Sequence, residues 1–147
     1  MLFTLNEISK LSQKLLQIRL KETRDMLRRC NSLSIMSGID REIFLDPKHS
    51  SKHLPNTPQS QRLLLKGRSI HVFTDENTML RVSQAIIERG EYTGSIRNYE
   101  RYGLFFAEAI GYRLSPDGSR VPLFYGEVKI DANNRYHTIP RTRPSEE

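Results

Sequence analysis

The sequence predicts an α+β domain: an N-terminal helix, a linker, then a strand, a helix and an antiparallel β-meander of three to five strands, with one helix packed on the sheet. Three observations predict it. Residues 3–30 carry Leu5, Ile8, Leu11, Leu15 and Ile18 at a near 3–4 spacing, the stripe of an amphipathic helix. Residues 76–89 carry a second stripe in Met79, Val82, Ala85 and Ile86. Beyond residue 90 the chain becomes a series of short β-rich runs separated by turn residues. Strands gathered together, without alternating crossover helices, indicate α+β rather than a doubly wound sheet.

In chain order, residues 1–45 form a helical N-terminal segment, with Leu16, Leu20, Met26 and Leu27 extending the stripe and Lys, Arg and Glu on the other face. Residues 46–61, DPKHSSKHLPNTPQSQ, hold three prolines in a polar run and read as a mobile linker. Residues 62–147 form the main α+β domain. A strand is expected over Ser69–Phe73. Asp75 is placed to N-cap the helix 76–89, Glu76 suits its first turn, and Gly90 reads as its C′ residue. Strands follow over 102–107, 110–114, 122–130 and 135–139, with Pro140 expected to stop the last one. Turns are expected at Pro116-Asp117-Gly118 and over 131–134.

Composition narrows the function classes. One cysteine among 147 residues excludes an internal disulfide framework and a multi-thiolate metal site. The amphipathic start lacks a clean apolar block with a small-residue cleavage site, and no apolar run approaches a bilayer span. A cytoplasmic protein that does not engage a membrane is the expectation. The mean hydropathy of −0.57 and the 37% apolar content imply that part of the chain is not core. Net charge is +6, and the excess is uneven. Residues 1–70 hold 13 Lys and Arg against 6 Asp and Glu, whereas 71–147 hold 10 against 11. A basic balance favours polyanion partners. In the second half nine of the ten cations are arginines, whose forked donors suit phosphate.

Five residues carry candidate chemistry: His71 in the first strand, Glu127 in the run FYGEVKI, His137 and Thr138 in the last strand, and Arg141 beyond it. Each has an ordinary explanation as well. Glu127 could alternate into water beside Lys129, and Arg141 with Arg143 could be a solvated tail. Together they supply what metal-independent RNA cleavage requires. Two imidazoles, or an imidazole and a carboxylate, serve as acid and base, and arginine and hydroxyl groups hold the developing phosphorane charge. His49 and His53 lie four apart, but prolines around them and the lack of a third ligand argue against a metal site. No cofactor is expected.

The stretch GRSIHVFTDENTMLRVSQAII and the closing VKIDANNRYHTIP resemble the start and the final hairpin of bacterial toxin nuclease domains of the barnase–EndoU–colicin–RelE assemblage. The resemblance covers residues 67–141, and its motifs are short. It implies a metal-independent endoribonuclease that cleaves RNA through a 2′,3′-cyclic phosphate, with a cognate inhibitor or immunity protein as a further partner. It points to His71 and Thr138, and to Arg141 at the strand exit. His137 and Glu127 rest on the chemistry alone. Such domains commonly sit at the tip of a large secreted carrier, which the sequence does not contain, and residues 1–45 have no counterpart in them. The alternative is a non-catalytic RNA- or protein-binding module, with Tyr99, Tyr102, Phe105, Phe106, Phe124 and Tyr125 as candidate stacking faces. The two readings part on geometry. The enzyme needs His71 in one cleft with Thr138 and Arg141, whereas a His71 buried against the helix stripe favours the binding module.

Overall fold

The computed structural model describes residues 4–22 and 38–146. Helix α1 (Leu5–Glu22) opens with a reciprocal cap, in which the Glu7 amide donates to Thr4 Oγ1 at 3.2 Å and the Thr4 amide donates to Glu7 Oε2 at 3.1 Å. The expected continuation of this helix through residues 23–30 lies outside the described residues. Strand β1 (Phe44–Leu45) is followed by helix α2 (Pro47–Ser50), a 3₁₀ turn (Ser51–His53) and helix α3 (Pro58–Leu65). Next come β2 (Ile70–Phe73), α4 (Glu76–Arg89), β3 (Glu91–Ile96), β4 (Tyr99–Phe105), β5 (Gly111–Leu114), β6 (Arg120–Leu123), β7 (Tyr125–Ile130) and β8 (Arg135–Arg141).

The strands form two sheets. One has five strands in the order β1-β8-β7-β4-β3, and the other has three in the order β2-β5-β6. All pairings are antiparallel except the short parallel contact of β1 with β8. Helix α4 covers one face of the larger sheet. Its stripe behaves as the periodicity requires: Met79, Val82, Ala85 and Ile86 are all buried, against Val128 and Ile130 of β7 and Phe73 of β2. Ile8 of α1 closes the same core. Asp75 caps α4, accepting from the Thr78 amide at 2.6 Å. Gly90 ends the helix, but in an extended conformation with φ −63°, not the left-handed one a C′ glycine usually supplies. Glycine is needed there for space, since a Cβ would lie 2.5 Å from the Ile86 carbonyl oxygen.

Three expectations about the backbone change. The 46–61 stretch is not an unstructured linker. Pro47 and Pro58, read as breakers, occupy the first turns of α2 and α3, where a missing N–H costs nothing. Asp46 caps α2, and Thr57 and Ser60 form a capping box on α3. The run 122–130 is two strands rather than one. The chain changes sheets at Phe124, whose carbonyl accepts from the Phe106 amide at 2.8 Å, while Ile110 donates to Leu123 at 2.8 Å. Phe106, Ile110 and Leu123 are buried at this corner. Last, Pro140 does not stop β8: it pairs with Gly126, and Arg141 with Tyr125. β1 covers the outer edge of β8 only at Arg135 and Tyr136, so no ladder bond is lost where the proline stands.

The capping box sets the first test. Thr57→Ala should lower stability by about 1 kcal/mol, the usual worth of such a cap, read as a shift in urea midpoint with an unchanged slope. No shift would mean that α3 is held by its packing alone.

Candidate active site

The face of the large sheet turned away from α4 is polar. Alternation along the strands and the pairing register put its residues together. Across β8, β7 and β4, His137 stands opposite Lys129, Lys129 opposite Arg101, and Arg141 opposite Tyr125. Glu127 stands opposite Gly103 on the same face. Thr138 has the other parity. It is fully buried against α4, its hydroxyl 2.6 Å from that of Ser83. Thr138 is therefore placed as a packing residue beneath the sheet, and it does not share a cleft with His71.

Glu127 is completely enclosed, so the expectation that it could face water does not hold. Arg101 Nη1 donates to its Oε1 at 2.8 Å, and Arg141 Nη1 lies 3.7 Å from the same oxygen. The Ser145 amide donates to Oε2 at 3.0 Å, and the Ser145 hydroxyl donates to Oε1 at 2.8 Å. A buried carboxylate needs such partners, because an unpaired charge there would cost several kcal/mol. Arg101 is itself only 4% exposed.

All four histidines of the chain gather around this face. His137 of β8 stacks on His49 of α2 with ring centroids 5.1 Å apart and lies 6.3 Å from His53, nearly parallel to it. Tyr99 meets His137 edge-on at 6.0 Å. His49 is anchored by Asp46 Oδ2, 2.7 Å from its Nδ1. His53 Nδ1 bonds the backbone carbonyl of His71 at 3.0 Å, which joins the stack to β2. Burial, and then the neighbouring His53 and His49, push His137 down to about 3. Burial also pushes His53 down to about 4. Both rings are thus neutral at neutral pH. They serve as the seat on which α2 and the 3₁₀ turn rest. Among the described residues no group of three or more His, Cys, Asp or Glu is disposed to hold a metal.

His71 differs. It is half-buried on β2, opposite Arg113 of β5, and near Arg141. Its basicity is lowered by burial first, then by Arg141 and Arg113, and it is partly restored by a backbone bond to Pro140. Proline has only a carbonyl to offer, so that ring nitrogen is the donor and the other nitrogen is left to act. Lys129 is also perturbed: burial, followed by Arg101, pushes it down to about 8. Tyr125, buried beside Glu127, is pushed up to about 12 and keeps its hydroxyl proton.

Of the five residues singled out in the sequence, the structure brings His71, Glu127 and Arg141 together and sets Thr138 and His137 apart. Sequence reading missed Arg101, Lys129 and Ser145. Arg101 had one legible signal: a glutamate centred in an apolar strand calls for a cation on a neighbouring strand. Ser145 had none, because its role depends on the chain folding back.

The acid response follows from the buried histidines. Their folded pKa values lie below the unfolded value, so the unfolded chain binds more protons between about pH 6.5 and pH 4. Stability should be full above that window and should fall as pH drops through it, by up to about 1.4 kcal/mol per pH unit for each ring. Urea midpoints measured at pH 7 and pH 5 would show it, and His137→Gln should roughly halve the difference. An unchanged difference would place the acid sensitivity elsewhere.

The family described as "Domain of unknown function (DUF6972)" matches residues 41–145, and the chain belongs to it. The match begins before β1 and runs through the 46–61 helices and both sheets. No curated protein and no solved structure matches the chain. No helix among the described residues is long and apolar enough to cross a membrane.

Proposed function

We propose that this DUF6972 domain is a metal-independent endoribonuclease that cleaves RNA through a 2′,3′-cyclic phosphate. The observation that carries the reading is the position of Arg141, which lies 3.7 Å from the Glu127 carboxylate and also acts on His71. A phosphate held by Arg141 would therefore lie between a carboxylate and an imidazole. In this reading Glu127 takes the proton of the ribose 2′-OH as its oxygen attacks phosphorus. The bond from phosphorus to the 5′-oxygen breaks, and His71 gives that oxygen a proton. Arg141, Arg113 and Arg101 oppose the charge that develops on the phosphorane. The incoming phosphate also raises the basicity of His71, offsetting the two arginines and loading it with the proton it must donate. His137, neutral and stacked, takes no part. The basic balance of the chain and the resemblance of residues 67–141 to toxin nucleases support RNA as the substrate, and the resemblance adds an inhibitor protein as a partner.

A second reading, an RNA-binding module without catalysis, is favoured by one observation. Phe105 and Phe124 are 44% and 42% exposed, enough to stack on bases. Phe106 and Tyr125 are buried and cannot.

Total RNA incubated with the protein in EDTA should yield fragments with cyclic-phosphate ends. His71→Ala should slow this by roughly 10²–10⁴-fold without unfolding the chain. Arg141→Ala should also be slow, and Arg141→Lys should recover only part, since the fork is lost. His137→Ala should cleave at nearly the normal rate. Full activity in His71→Ala rejects the mechanism, and RNA binding without cleavage by the unaltered chain favours the module.

A further inference from the structure

The segment after β8 turns back over the polar face. The Ser145 hydroxyl both donates to Glu127 Oε1 at 2.8 Å and accepts from Arg101 Nη1 at 2.7 Å. Its amide takes the other Glu127 oxygen at 3.0 Å. Two residues earlier, the Arg143 carbonyl accepts from Arg141 Nε at 3.4 Å. The segment therefore presents a hydroxyl to the buried carboxylate and an acceptor oxygen to the neighbouring guanidinium. A ribose 2′-OH and its adjacent phosphate present the same two groups in the same neighbourhood.

The fit is incomplete in an informative way. Arg101 Nε is buried without a hydrogen-bond partner. An unsatisfied donor next to a charge is costly, and one hydroxyl cannot fill a guanidinium fork. A phosphate, with several acceptor oxygens, can. The segment itself is lightly held elsewhere. The Arg143–Glu146 pair is 3.7 Å apart, with both side chains more than 70% exposed, so it adds little.

We propose that residues 142–146 act as an internal pseudosubstrate: Ser145 occupies the site of a ribose 2′-hydroxyl at Glu127 and Arg101, and a ribonucleotide must displace the segment to bind. This rests on the endoribonuclease reading for the identity of the ligand, but it concerns occupancy rather than catalysis. Displacement exposes the Glu127–Arg101 pair and frees Arg141 Nε. It also exchanges a neutral hydroxyl for an anion beside the buried cations. Binding and release of the segment are then linked, each weakening the other by the same factor.

Uridine 3′-monophosphate is a suitable probe, because it carries the 2′-OH beside a phosphate and cannot be cleaved further. Its affinity, measured by calorimetry, should rise roughly tenfold in Ser145→Ala, the loss of a hydrogen bond to charged partners. Ser145→Thr, which keeps the hydroxyl, should bind like the unaltered chain. In the unaltered chain, saturating nucleotide should speed hydrogen exchange at the Ser145 amide, whose acceptor is Glu127. Equal affinity in the three proteins, or nucleotide that binds without releasing that amide, overturns the proposal, as does the absence of any binding. RNA cleavage is assayed in parallel. A rise in affinity with no cleavage by any variant would sink the endoribonuclease reading and leave the pseudosubstrate in place, whereas cleavage unaffected by Ser145→Ala together with unchanged affinity would do the reverse.

Discussion

Glu127 is enclosed at the centre of a five-stranded sheet, and its carboxylate can stay there only while Arg101 stays with it. That pairing constrains much of the molecule. Arg101 reaches Glu127 because β4 and β7 pair in a register that sets Arg101 beside Lys129 and Gly103 opposite Glu127. A slip of one residue would turn Arg101 and Glu127 to the helix-covered face, among Val128, Met79 and Ile86. Burying an ion pair costs more than packing apolar groups of the same size, so the pair secures register rather than stability. It also holds Arg141 and the segment around Ser145, which is why the functional residues of this face depend on it.

Glycines on the two faces of the sheet make room for what covers it. Gly126 faces α4, where a Cβ would come within 2.9 Å of both Val82 and Ile86. Gly103 lies under the Tyr125 hydroxyl, in space a side chain would take. One glycine lets the helix close the apolar core, and the other lets an aromatic ring lie flat beside the charged pair. The sheet is thus dry on one side and polar on the other, and β8 shows the contrast residue by residue: Thr138 is bonded to the helix, while His137 is stacked among imidazoles.

The histidines divide the same way. His49, His53 and His137 are neutral rings that join the 46–53 helices to the sheet, and they use their ring nitrogens on Asp46 and on the His71 backbone. His71 is the one at the boundary with solvent, flanked by guanidiniums from two different sheets. Proximity in space does not give four like residues a common task; burial separates the three that support from the one that can exchange a proton.

The α+β class, the α4 stripe of Met79, Val82, Ala85 and Ile86, its Asp75 cap, and the turns at 116–118 and 131–134 were legible in the sequence. Each is local, written in spacing or in turn chemistry within a few residues. Of the site, His71 and Arg141 were legible as residue types suited to phosphate. The helices of 46–61 were not, because proline breaks a helix or begins one according to its position, and only the caps at Asp46 and Thr57 decide which. The division of 122–130 between two sheets, the burial of Glu127 and the separation of Thr138 and His137 from His71 were settled by tertiary structure. They depend on which strands become neighbours and on which face the helix covers, and those are properties of contacts between residues far apart in the chain. The place of Ser145 is the extreme case: its hydroxyl lies on Glu127, eighteen residues away, only because the sheet first brings Arg101 and Arg141 to the same carboxylate.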